Sequence, residues 1–193
     1  MCDLEVRDVV AFWHNRSLFR PVSFRVQRGE ILRISGGNGV GKTTLLRIIA
    51  GLHYQWTGWK RCLLGPVSIK PQGVSVFPSL TLSQVLEILG VPPGEITSMA
   101  HGLCLEDKLN DAMGLLSDGE SQRAMLLIAL SRGRSVLLLD ELFVGLDRHS
   151  SKLMMNVLGT KRNDIATLIV EHKATPGFQA DSEVILEKPF DSP

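Results

Sequence analysis

No run of about 18–20 consecutive apolar residues, the length that spans a bilayer as a helix, occurs in this sequence. The opening Met1-Cys2-Asp3-Leu4-Glu5 carries acids and no basic cluster, so no secretory signal is expected. An excess of one charge is missing too. The net charge is +1, which removes the bulk electrostatic case for binding nucleic acid. Cysteine is scarce: Cys2, Cys62 and Cys104 are scattered, odd in number and without metal-ligand spacing. That pattern reads as reduced thiols in a cytoplasmic protein. No repeat, low-complexity tract or long linker breaks the chain. What is there, 193 residues at 44% apolar and 21% charged, suits one domain over 1–193 with a sizeable core.

The strongest local pattern is Gly36-Gly37-Asn38-Gly39-Val40-Gly41-Lys42-Thr43-Thr44, which fits G-x-x-x-x-G-K-[ST]. Glu30 to Ser35 before it reads as a buried strand, and Leu45 to Ala50 after it as a helix stopped near Gly51. Strand, glycine loop and helix make a phosphate cradle. The glycines let successive backbone N–H groups face one concavity, and the helix adds free N–H groups and the positive end of its dipole. Lys42 is expected on the terminal phosphates and Thr43 on Mg²⁺, a hard cation that prefers oxygen.

Ser135 to Leu139 forms a continuous apolar strand that ends in Asp140-Glu141. Ligands of parallel sheets gather at the carboxyl ends of strands. Asp140 there can hold the magnesium and Glu141 can polarise an attacking water. Ala166 to Val170 is a second buried strand, closed by Glu171-His172, with His172 either structural or at the phosphate edge. Leu4 to Val10 reads as a strand at a sheet edge, followed by further β pattern at Ser17 to Phe19 and Val22 to Val26. Trp13 between them can stack on a base or serve as an ordinary aromatic.

Trp56 to Trp59 and Leu63 to Gly65 read as turn and hairpin, and Val67 to Gln72 as a strand ended by Pro71. Thr81 caps a helix over 81–90, and one or two short helices follow over 95–115. Ser117, with Glu120 three residues on, has capping-box spacing and opens an apolar helix that ends near Arg132-Gly133. Asp147 to Leu158 reads as a helix and Ser182 to Glu187 as a last strand. A small helical insertion is therefore expected over about 73–134.

In this order the motifs resemble the ATP-binding subunit of an ABC transporter over nearly the whole chain. Gly36 to Thr44 looks like Walker A, Gln72 like the Q-loop glutamine, and Leu116-Ser117-Asp118-Gly119-Glu120 like the family signature L-S-G-G-Q. Val136 to Asp140 is similar to Walker B, with Glu141 at the catalytic glutamate position. Gly145-Leu146-Asp147 resembles the D-loop and His172 falls at the switch histidine. Trp13 falls at the adenine-stacking aromatic. Asp118 and Glu120 depart from the signature, and Leu142 stands where proline is usual. Gln72 follows Lys42 by only 30 residues, so the β subdomain is trimmed. Within the family, 18–52 looks most like the haem-exporter ATP-binding subunit of cytochrome c maturation.

The resemblance implies a P-loop NTPase of the α/β class. Its central sheet is mainly parallel, with an N-terminal antiparallel β subdomain and the helical insertion. It implies an ATPase that uses ATP and Mg²⁺, with Lys42, Glu141 and His172 catalytic. The loop 36–44 and Trp13 would bind ATP, and Thr43, Gln72 and Asp140 would form the metal shell. Ser117, Gly119 and Glu120 of one copy would meet ATP held by an identical or similar second copy, with the D-loop Asp147 beside them. A separate transmembrane permease subunit would rest near residues 73–90, on Phe77, Pro78 and Leu80, placing the protein on the inner face of the cell membrane. The alternatives are a soluble ABC-type ATPase outside transport and a weakly hydrolysing regulatory cassette.

Overall fold

The computed structural model describes residues 2–62, 67–70, 77–131, 135–171 and 177–189. They form two compact units. The first comprises Met1–Ile69, Arg134–Leu142 and Arg162–Pro193, and the second Lys70–Gly133 and Phe143–Lys161.

The first unit holds two sheets. Strands β1 (Cys2–Trp13), β2 (Arg16–Ser17), β3 (Val22–Gln27) and β5 (Trp56–Cys62) make the antiparallel one. β1 was expected at an edge and instead lies inside, with β3 along one side and β5 along the other. It is also longer than expected, because a bulge resets its phase. Leu4 and Val6 face inward, the register shifts at Asp8, and Val9 and Ala11 then face inward on the opposite parity. Asp8 sits at φ 50. Across from it, a Cβ on Gly58 would lie 2.4 Å from the Asp8 carbonyl oxygen, so only glycine lets β5 pass the bulge. Hence 56–59, expected as turn, is continuous strand. Residues 63–66, which include the whole expected stretch Leu63 to Gly65, lie outside the described residues.

The second sheet has the order β6-β7-β8-β4-β9, with β4 Ile31–Gly36, β6 Val67–Lys70, β7 Val136–Asp140, β8 Ala166–Val170 and β9 Ser182–Leu186. The β7–β8, β8–β4 and β4–β9 pairs are parallel. Every residue of β7 and β8 is buried, the pattern of strands covered on both faces. Helix α1 (Lys42–Ile49) follows β4 and buries Leu45, Leu46, Ile48 and Ile49 in a core shared with Leu32, Ile34, Leu138 and Leu168. It ends at Gly51 (φ 77), where Leu52 N–H donates to the Arg47 carbonyl at 2.7 Å and Gly51 N–H to that of Ile48 at 3.0 Å.

The second unit is helical: α2 (Leu82–Ile88), α3 (Pro93–Gly102), α4 (Asp118–Leu130) and α5 (Arg148–Lys161), with 3-10 turns at Glu106–Lys108 and Met113–Leu115. Both expected caps form. Thr81 accepts from Gln84 N–H at 3.2 Å and its own N–H donates to Gln84 Oε1 at 2.9 Å. The helical unit takes in α5 as well as the segment between β6 and β7. Among the described residues no helix is long and apolar enough to cross a membrane.

Candidate functional site

The parallel pairing sets the level of the acidic groups. Val170 in β8 is paired with Asp140 on one side and with Ile34 on the other. Asp140 thus ends β7 at the level where β4 runs into the glycine loop, about 10 Å away across two strand spacings. It is buried, at 2% exposure. The next residue, Glu141, turns sharply at φ 51 and donates its N–H to the Val170 carbonyl at 3.0 Å. An L-residue in that conformation carries a strain of about 1–2 kcal/mol. The turn redirects the Glu141 side chain from the sheet into a cleft.

That cleft, about 380 Å³, is lined by Trp13, Leu18, Gly39, Gly41, Lys42, Thr43, Thr44 and Glu141. Two glycines of the loop are fixed by their surroundings. A Cβ on Gly36 (φ +145) would meet the Leu186 carbonyl oxygen at 2.6 Å, and one on Gly41 (φ +101) would meet the Phe19 ring at 2.9 Å. Lys42 folds back over the loop and donates to the carbonyls of Gly36 at 2.8 Å and Gly37 at 3.0 Å. Burial pushes its pKa below the ordinary lysine value, while Glu141 and Asp140 pull it back up. Gly41, the N-cap of α1, has no side chain to satisfy the first-turn N–H groups, and that turn holds no acid. The end of the helix is therefore left for an external anion. Thr43 and Asp140 supply a hydroxyl and a carboxylate, a donor set that fits Mg²⁺. Trp13 is 60% exposed, which excludes a core role, and meets His14 edge-on with ring centroids 5.2 Å apart.

Ser117 and Gly119 lie in the other unit, at the start of α4. Ser117 is exposed. Its Oγ accepts from Glu120 N–H at 3.4 Å and donates to Glu120 Oε2 at 2.8 Å, while Ser117 N–H donates to the same oxygen at 2.9 Å. Those bonds hold the Glu120 carboxyl below its ordinary value, with smaller help from Lys108 and Arg123. Unlike α1, this helix starts with acids of its own, Asp118 and Glu120. Asp147 caps α5, accepting from Ser150 N–H and Oγ, each at 2.8 Å. Gln72 and His172 lie outside the described residues. Of the expected ATP contacts, Trp13, Gly39, Gly41, Lys42, Thr43 and Thr44 line one cleft with Glu141; Gly36, Gly37, Asn38 and Val40 complete the loop. Leu18 and Phe19 were missed as site residues. Both belong to the loop between β2 and β3, and only the fold brings them to Gly41.

Residues 19–144 match the family described as ABC transporter. The chain is 30% identical over 189 residues to the zinc import ATP-binding protein ZnuC of Halorhodospira halophila, covering 94% of this chain and 72% of that protein. It is 32% identical over 157 residues to the cytochrome c biogenesis ATP-binding export protein CcmA of Novosphingobium aromaticivorans, covering 78% of each. The ABC-type organic anion transporter ABCA8B of mouse is 29% identical over 187 residues, but the chain spans only 11% of its length. A solved ATP-binding subunit of an ABC transporter superposes with a TM-score of 0.85 at 24% identity, over 95% of this chain and 85% of that one. The likeness to the cytochrome c biogenesis protein thus stands beside a similar likeness to a zinc importer subunit.

Proposed function

The chain belongs to the ABC transporter family as an ATP-binding, ATP-hydrolysing cassette, and from that premise we propose that it powers transport through a separate membrane subunit, as one half of an ATP-bound pair. The observation that carries the reading is the single cleft that collects the phosphate loop, Lys42, Thr43, Trp13 and Glu141. ATP enters with its adenine on Trp13 and its phosphates on the loop 36–44 and the first turn of α1. Lys42 moves from the Gly36 and Gly37 carbonyls to the terminal phosphates. Thr43 and Asp140 would hold Mg²⁺, which would supply positive charge against the phosphate oxygens, and Gln72 keeps the metal-shell role that the family resemblance implies. Glu141 orients or deprotonates the attacking water, and His172 holds the γ-phosphate as charge develops.

The second copy, identical or similar, contributes Ser117 and Gly119 to the γ-phosphate. The exposure of Ser117 supports this role, and its hydroxyl must leave Glu120 to play it. ATP is then the glue between copies, and hydrolysis releases them. The membrane subunit rests near residues 73–90, where Phe77 is 43% exposed, and holds the chain at the inner face of the membrane. The test is Glu141→Gln. Its turnover should vanish while ATP binding persists and an ATP-bound dimer accumulates. Undiminished hydrolysis by this variant would overturn the assignment.

A further inference from the structure

Two side chains near the start of α4 reach the segment that leads into α5 and the first turn of α5 itself, all within the helical unit. Gln122 Nε2 donates to the Val144 carbonyl at 3.2 Å. Arg123 Nη1 donates to Ser150 Oγ at 2.6 Å, and the Ser150 hydroxyl in turn donates to Asp147 Oδ2 at 2.8 Å. Ser150 is only 2% exposed, so this chain of bonds is shielded from water where it crosses from one helix to the other. The signature turn lies against the same cluster. A Cβ on Gly119 would stand 3.7 Å from Arg123 Nη1, 3.7 Å from Ser150 Oγ and 3.8 Å from Leu146 Cδ2, all ordinary contact distances.

We propose that Arg123 and Gln122 are positioning residues that lock the signature turn, 117–120, to the loop 144–147, so that both meet the second copy as one rigid piece. This rests on the dimer reading above and goes beyond it, since neither residue lines the nucleotide cleft. The chemistry suits a lock. A guanidinium, always charged, is tied through a buried hydroxyl to a carboxylate that also caps α5. Because Ser150 donates twice to Asp147, that carboxyl is held below its ordinary value and stays ionised at neutral pH. The Gln122 bond adds a second attachment on the neighbouring position of α4, at Val144, so the loop is fixed at two points rather than hinged on one.

The test uses the full chain in the Glu141→Gln background, where hydrolysis does not confuse the count. ATP-driven dimerisation is measured by sedimentation velocity with MgATP, and ATP binding to the dilute monomer by calorimetry. Arg123→Met should weaken dimerisation about tenfold or more while monomer affinity stays within about twofold, since the cleft lies in the other unit. Arg123→Lys should recover part of the loss, and Gln122→Ala, a milder change that spares the fold, should weaken dimerisation several-fold. An Arg123→Met protein that dimerises like its parent overturns the lock. So does one that loses monomer affinity in equal measure, because Arg123 would then support the fold at large. A parent that binds ATP yet stays monomeric overturns the dimer reading, and the lock with it.

Discussion

Replacing Gly41 by alanine should cost the fold far more than the same change at Gly37 in the same loop. Gly41 holds φ +101, and a Cβ there would meet Phe19 Cδ1 at 2.9 Å, Phe19 Cε1 at 3.1 Å and Leu18 Cβ at 3.2 Å. The backbone term is about 1–2 kcal/mol for an L-residue in left-handed space. The clash cannot be relieved by a flexible tip, because Phe19 is fully buried, and overpacking of that kind costs about 1–3 kcal/mol. Together they predict a loss of about 2–5 kcal/mol, or roughly 5–20 °C in Tm for a chain of this size. Gly37 has no positive φ and nothing within 4 Å of its ideal Cβ, so Gly37→Ala should stay within about 0.5 kcal/mol of wild type. Urea unfolding of the two variants side by side is the assay. Equal stability of the two would refute the account of how the loop is held.

Three further outcomes are expected. Trp13→Ala should weaken ATP binding about fivefold or more, from the loss of base stacking, with Tm unchanged because the ring is 60% exposed. Lys60 reaches inward from β5 and donates to the carbonyls of Ile48 and Ile49 at the end of α1; Lys60→Met should destabilise the chain by about 0.5–2 kcal/mol in urea unfolding. Glu183 is held below its ordinary value of 4.5, first by its bond from Arg33. A depressed carboxyl stabilises above its unfolded pKa and loses that contribution as pH falls through the folded one. The stability gap between wild type and Glu183→Gln should therefore be present at neutral pH and close in acid below that value, as followed by denaturation at a series of pH values.

The phosphate loop, the buried strands β7 and β8 and the caps at Thr81 and Ser117 were legible because each is written in adjacent residues. The glycines that bend the loop, the hydroxyl that caps a helix and the box partner three places on need no distant information. β1 was harder. Its inward residues Leu4, Val6, Val9 and Ala11 change parity midway, and the bulge that makes sense of this depends on Gly58, fifty residues later in the chain. The same limit hid Leu18 and Phe19, whose place against Gly41 is set by tertiary packing. Nothing local in the sequence marks Arg123, since its partner Ser150 lies 27 positions away on another helix. Asp147, placed by pattern in a loop or at a helix start, proved to be the cap of α5 and the anchor of that network.

At the centre of the account is a triphosphate held by the loop 36–44 through Lys42. Calorimetric titration of the chain with MgATP, beside Lys42→Ala at matched concentration, tests it most directly. One ATP should bind per chain, with at least a tenfold weaker affinity in the variant. No binding by the wild-type chain, or equal binding by both, would contradict it.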